Sequence, residues 1–173
     1  MLSFEDAREI AIRHAGPDVE LLDQKTRETD SGWYFCPRVD EGVLGGCGFM
    51  VDRGSGRVFE FPSCFSVDEN IARYEAGFRF ERYDLRIVAV RDRRRTVELL
   101  QKVGLTYVVL EDSGGDVWRI PRRYSSSQLG DIIDGVPCVI RDQALFLKAD
   151  VFRDIDESGC CTYEVLESGS TCA

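Results

Sequence analysis

Apolar and polar positions along the chain alternate between helical and strand periods, with turn residues between them. Ser3, followed by Asp6 at the capping-box position, opens a run in which Phe4, Ala7, Ile10, Ala11 and Ala15 recur at helical spacing. Gly16-Pro17 ends that run. Val19 to Thr29 reads as a strand, Thr29-Asp30-Ser31-Gly32 as a turn, and the aromatic block Trp33 to Val39 as a second strand. Asp40 to Gly48 carries Gly42, Gly45, Gly46 and Gly48 and reads as a loop. Phe49–Asp52 and Arg57–Phe61 then pair across Arg53-Gly54-Ser55-Gly56. Ser66, with Glu69 three residues on, caps a helix to about Ala76, with Ile71, Tyr74 and Phe78 as core candidates.

The second half continues in the same grammar. Leu85–Val90 reads as a strand, and Asp92 caps a helix from Arg93 to Val103 that Gly104 ends. Leu105–Glu111 and Asp116–Ile120 form a hairpin around Ser113-Gly114-Gly115. Ser125 or Ser126 starts a helix through Ile133. Val136–Arg141 and Ala144–Lys148 are expected to make a last hairpin across Asp142-Gln143, with Cys161–Leu166 as a closing strand.

These elements predict an α+β fold of antiparallel β-sheet hairpins packed against helices. They are read either as two similar α+β halves, residues 1–82 and 83–173, or as one continuous domain in which residues 83–173 are an extension. At a constant offset of 59, Val51-Asp52 matches Leu110-Glu111, Gly56 matches Gly115, and Val58-Phe59 matches Val117-Trp118. Pro62 then matches Pro121, and Phe65-Ser66 matches Tyr124-Ser125. Either a repeated module or a recurrent hairpin-to-helix solution produces such a pattern.

Composition narrows the class. With 43% hydrophobic and 10% aromatic residues the 173-residue chain is globular, and no apolar run approaches the ~20 residues that span a bilayer. Met1-Leu2-Ser3-Phe4-Glu5-Asp6 lacks a basic-then-apolar pattern, so the expected compartment is the cytoplasm. The net charge of −9 disfavours nucleic acid as a partner and suits either simple solubility or a basic protein. Seven cysteines at irregular spacing, without a Cys-x-x-Cys pair, read as reduced, buried, apolar side chains.

Candidate chemistry is thin, and no catalytic, cofactor-binding or metal-ligating set is assigned. Every Cys-His or Ser-His scheme must use His14, which sits in the last turn of the first helix and reads as structural. The Gly-rich segments Gly45-Gly46-Cys47-Gly48 and Gly54-Ser55-Gly56 lack the Gly-Lys-Ser/Thr ending of a phosphate loop. Arg91-Asp92-Arg93-Arg94-Arg95 is basic but lacks a stacking platform, so surface acids such as Glu98 are its expected partners. Paired acids at Asp40-Glu41, Glu111-Asp112 and Asp154/Asp156/Glu157 read as solvated loops, or as contacts for a basic partner.

One resemblance adds to this reading. Gly32-Trp33-Tyr34-Phe35-Cys36, the Gly-containing loop, the hairpin Met50-Val51-Asp52-Arg53-Gly54-Ser55-Gly56-Arg57-Val58 and the helix with Ile71 and Tyr74 resemble the YrhB-like family. That family, also called immunity protein 35, belongs to bacterial polymorphic-toxin systems. The resemblance covers about residues 1–82; residues 83–173 go beyond the family's short form. It implies a small cytoplasmic protein, monomer or homodimer, that neutralises a cognate toxin protein by stoichiometric occlusion, with neither nucleic acid nor membrane as partner. It carries over no catalytic residue. Asp40, Glu41, Asp154, Asp156 and Glu157 are the expected partner contacts. The alternatives are a small enzyme using cysteine or carboxylate chemistry, and a regulatory or structural binding domain.

Overall fold

The computed structural model describes residues 1–38 and 48–169. It is an α+β protein of helices and antiparallel sheets that forms two compact units, Met1–Arg79 and Phe80–Ala173. Among the described residues, no helix is long and apolar enough to cross a membrane.

In the first unit, α1 (Phe4–Ala15) begins where Ser3 Oγ accepts the Asp6 N–H and the Asp6 carboxylate accepts the Ser3 N–H. Strands β1 (Arg27–Glu28), β2 (Gly32–Phe35), β3 (Phe49–Asp52) and β4 (Val58–Glu60) form one antiparallel sheet in that order, followed by α2 (Val67–Glu75). Strand alternation sorts the aromatics to opposite faces. Trp33, Phe35, Phe49 and Val51 pack with Ala7 and Ala11 of α1 and with Leu21. On the other face Tyr34 stacks on Phe61 at 5.8 Å, and Phe59 and Phe61 meet Tyr74 of α2. Both faces are covered, which is why all four residues of β2 are buried. Full burial of each such ring is worth about 1.5–3 kcal/mol.

Two expected strands are shorter here. Val19–Thr29 holds a 3-10 turn at Asp23–Lys25 and only two strand residues, because its polar positions leave nothing to alternate. The aromatic strand ends at Phe35, and Pro37 then makes an isolated bridge to Leu21. The expected loop 40–48 lies outside the described residues except for Gly48.

In the second unit, β5 (Tyr83–Val90) is followed by α3 (Arg93–Val103), which Asp92 caps through its bond from the Arg95 N–H. Then come β6 (Thr106–Ser113), β7 (Asp116–Arg123) and α4 (Ser126–Ile133). Last are β8 (Cys138–Gln143), α5 (Ala149–Ser158) and β9 (Cys161–Glu167). β5 is the centre of a three-stranded antiparallel sheet, between β8 and β9. Leu99, Leu100 and Val103 of α3, Leu129 and Ile133 of α4, and Phe152 and Ile155 of α5 form the helical part of the core. β6 and β7 stand apart as a two-stranded ribbon.

The expected hairpin of 136–141 with 144–148 does not form. β8 pairs with β5, and Ala144–Lys148 enters a 3-10 turn at Phe146–Lys148 that runs into α5. A short apolar run such as Leu145-Phe146-Leu147 fits either period, and the missing partner was distant in sequence. The chain turns at Asp142, whose φ of 57° is held by its own N–H to Asp84 Oδ1 at 2.9 Å and by the Arg82 guanidinium on its carboxylate at 2.7 Å.

The 59-residue correspondence holds at the helix starts and not in the hairpins. Ser66 with Glu69 and Ser125 with Gln128 are both complete capping boxes. Val51 pairs with Val58, yet their counterparts Leu110 and Val117 do not pair, since Leu110 faces Arg119. The turns differ: Asp52 braces a wide turn in the first hairpin, whereas Gly114 (φ 68°) and Gly115 (φ 94°) make a two-residue turn in the second.

Candidate functional site

The hairpin that carries the resemblance is tied to α2 by a half-buried polar network. Asp52 Oδ1 accepts the Gly54 N–H at 3.1 Å, the Ser55 N–H at 2.8 Å and the Ser55 hydroxyl at 2.8 Å, fixing the turn. Its Oδ2 accepts the Tyr74 hydroxyl at 3.1 Å and faces Arg79 Nη1 at 3.6 Å. Arg79 Nη2 donates to Ser31 Oγ at 2.6 Å, and Ser31 donates both its hydroxyl and its N–H to Glu75. Burial pushes the Asp52 carboxyl up, but the bonds from Ser55, Tyr74 and Gly54 together hold it below its ordinary value. Burial and the Asp52 charge push the Tyr74 phenol up. Both carboxylate oxygens of Asp52 accept hydrogen bonds from the turn or from α2, so the network braces the hairpin against the helix.

The remaining reactive groups are dispersed. His14 Nε2 lies 3.1 Å from Glu60 Oε1, with the ring edge-on to Phe49 at 4.7 Å, a packed and half-exposed histidine. Cys160 and Cys161 are buried, and burial followed by the neighbouring Cys160 pushes the Cys161 thiol up to about 12. Burial likewise raises Cys138. A thiol so placed is protonated at neutral pH, the opposite of an activated nucleophile. Among the described residues, no cluster of three or more His, Cys, Asp or Glu has the geometry of a metal site.

The basic run is absorbed within the second unit. Arg93 makes a two-pronged contact with Asp134 at 2.6 and 2.8 Å, and Arg94 and Arg95 both reach Glu98. Arg91 donates to the Gly159 carbonyl and to Thr162 Oγ1. Arg93 ties the start of α3 to the end of α4, whereas the Arg94 and Arg95 pairs with Glu98 lie within α3 itself.

Of the expected partner contacts, Asp40 and Glu41 lie outside the described residues. Asp154, Asp156 and Glu157 stand on a helix, not in the acidic loop expected for them, because Phe152 and Ile155 bury one side of α5 and Gly159 closes it in the left-handed conformation. The helix separates the three. Asp154 and Glu157 share the exposed face with Asp150, at i, i+4 and i+7. Asp156 instead takes Tyr163 of β9 as its hydrogen-bond partner, and that bond adds to burial in raising the Tyr163 phenol. Asp154 and Glu157 make no ion pair among the described residues. Negative charge in the last turn opposes the helix dipole, and the last turn of α5 holds no basic residue. Asp150 joins these acids only through the helix, for which the Phe152/Ile155 spacing followed by Gly159 is the signal in the sequence.

No family model, curated protein or solved structure matches this chain.

Proposed function

We propose that the chain is an immunity-type protein that binds a basic toxin protein and neutralises it by stoichiometric occlusion. The class comes from the resemblance, whose scattered pieces belong to one compact unit: Trp33 and Tyr34 pair with Val51 and Met50, and Tyr74 bonds Asp52 of the hairpin. The observation that carries binding is the pair Asp154 and Glu157 on one exposed helix face. Like charges one turn apart, as at Asp154 and Glu157, cost a helix roughly 0.2–0.5 kcal/mol, and the place of Glu157 in the last turn adds to that. A basic partner offsets both terms and is steered by them.

The test is to identify the genes that flank this one and to co-express the chain with any toxin that they encode. The expected result is a stoichiometric complex and rescue of growth, with Asp154→Lys/Glu157→Lys lowering the association rate severalfold and losing the salt dependence. A neighbouring toxin that neither binds nor is neutralised sinks the reading.

A further inference from the structure

We propose that the outer edge of β6 pairs antiparallel with β6 of a second copy, centred on Leu110, to make a four-stranded sheet. The inference does not depend on the toxin reading. It starts from which way the backbone groups of the ribbon point. In a two-residue hairpin the flanking pair, here Ser113 and Asp116, exchanges hydrogen bonds, so pairs alternate from there. Tyr107, Val109 and Glu111 therefore bond to β7, while Thr106, Val108, Leu110 and Asp112 turn their N–H and C=O outward. Thr106 confirms the phase independently: its N–H donates to Gln143 Oε1 and its C=O accepts from Gln143 Nε2, both at 2.8 Å. The buried Gln143 amide thus acts as a one-residue strand at the base of the edge and leaves the next three outward positions open.

The two edges of the ribbon are not equivalent. On β7 the outward positions are Val117, Arg119, Pro121 and Arg123, and Pro121 has no N–H to offer. Proline and charge on an edge are the usual protection against strand addition. The β6 edge has neither at Val108 and Leu110, whose side chains are 46% and 66% exposed. An open edge next to a blocked one selects pairing on the β6 side.

Charge favours a second copy as the occupant. The protein carries −9 overall, but residues 106–123 balance Glu111, Asp112 and Asp116 against Arg119, Arg122 and Arg123. The ribbon is therefore a neutral place for two acidic copies to meet. Its acids lie toward the tip and its arginines toward the base. Antiparallel pairing about Leu110 sets the acidic tip of each ribbon beside the basic base of the other. Leu110 then faces the partner copy's Leu110, and Val108 the partner copy's Asp112, so no like charges are opposed. The exposed apolar side chains Val108, Leu110 and Val117 of both copies become one continuous sheet face.

Sedimentation equilibrium of the full chain tests this. The expected species at tens of micromolar has about twice the 19.6 kDa chain mass. Leu110→Lys places two like charges on the axis, and Leu110→Pro removes the outward N–H as Pro121 does on β7. Both are expected to weaken dimerisation at least tenfold with unchanged far-UV circular dichroism. Val117→Lys, equally exposed but on the far strand, is expected to leave the dimer intact. A wild-type chain that stays monomeric to about 100 μM overturns the proposal, whatever else then occupies the edge. So does a dimer that survives both Leu110 substitutions, or one that Val117→Lys dissolves as fully, since that result means stacking of faces.

Discussion

Tyr74 donates its hydroxyl to Asp52 at 3.1 Å and so fastens helix α2 to the turn of the β3–β4 hairpin. Tyr74 is 2% exposed, and its ring also packs on Phe59 and Phe61 and under the Arg79 guanidinium. Tyr74→Phe keeps the ring and removes only the bond to a charged acceptor. The expected loss is about 2 kcal/mol. The two compact units need separate readouts, and the two tryptophans supply them, buried Trp33 in the first and exposed Trp118 in the second. In a Trp118→Phe background, urea unfolding followed by Trp33 fluorescence should show a lower midpoint with an unchanged slope. An unchanged midpoint means that the bond contributes nothing.

The same network makes the first unit sensitive to acid. Asp52 is held below its ordinary value in the folded protein, because hydrogen bonds from Ser55, Tyr74 and Gly54 outweigh the upward push of burial. A depressed folded value means that the stabilisation is complete above the unfolded value of about 3.9 and is lost as pH falls through the folded one. Asp52→Asn should therefore be less stable than wild type at pH 7, with the difference shrinking as the pH drops below about 4. Urea midpoints of the two proteins between pH 7 and 2 measure this. A gap that stays constant across the range assigns the stabilisation to shape and not to charge.

Gly32 marks the closest approach in the first sheet. A Cβ on Gly32 would stand 2.1 Å from the Val51 carbonyl oxygen and 3.0 Å from its carbon, both backbone atoms that cannot swing aside. Gly32→Ala must push β2 away from β3, where Trp33 pairs with Val51 and Tyr34 with Met50. Overpacking of this kind costs about 3 kcal/mol. Hydrogen exchange should show faster opening of the amides of β2 and β3, while those of β5 keep their wild-type rates. Equal acceleration in both units would place the effect elsewhere.

What the residues disclosed in advance was what local chemistry decides. Ser3, Ser66, Asp92 and Ser125 each announce a helix because their side chains have one good use, the orphan N–H groups of a first turn. Gly104 announces an end for the converse reason, its left-handed φ of 75°. Helix α5 has the end signal in Gly159 but lacks one at its start: Lys148 stands at its N-cap with no side-chain bond, and a 3-10 turn leads into it. The acids of α5 then pass for a loop, although Asp154 and Glu157 are presented together only because the segment is helical. The pairing of β8 with β5 rests on contacts more than fifty residues apart, such as Asp142 N–H to Asp84, which no local pattern encodes. The open edge of β6 was hidden differently. Val108, Val109 and Leu110 look like the core of a covered strand, and the structure leaves them in a two-stranded ribbon.

The cysteines give the clearest separation of reactivities. Alkylation proceeds through the thiolate, so its rate follows both access and the thiol's acidity. Cys64 is exposed, whereas Cys160 and Cys161 are buried behind Thr96, whose hydroxyl donates to the Cys160 carbonyl at 3.3 Å. Burial, then the adjacent Cys160, raises the Cys161 thiol to about 12, so at pH 8 the thiolate is roughly one part in ten thousand of it. Iodoacetamide at pH 8 followed by peptide mass spectrometry should label Cys64 first among the described thiols, with Cys160 and Cys161 at least a hundredfold slower. Urea sufficient to unfold the second unit should erase that difference. Rapid labelling of Cys161 in the native protein would mean that the β9 end of the sheet opens far more readily than its packing against α3 allows.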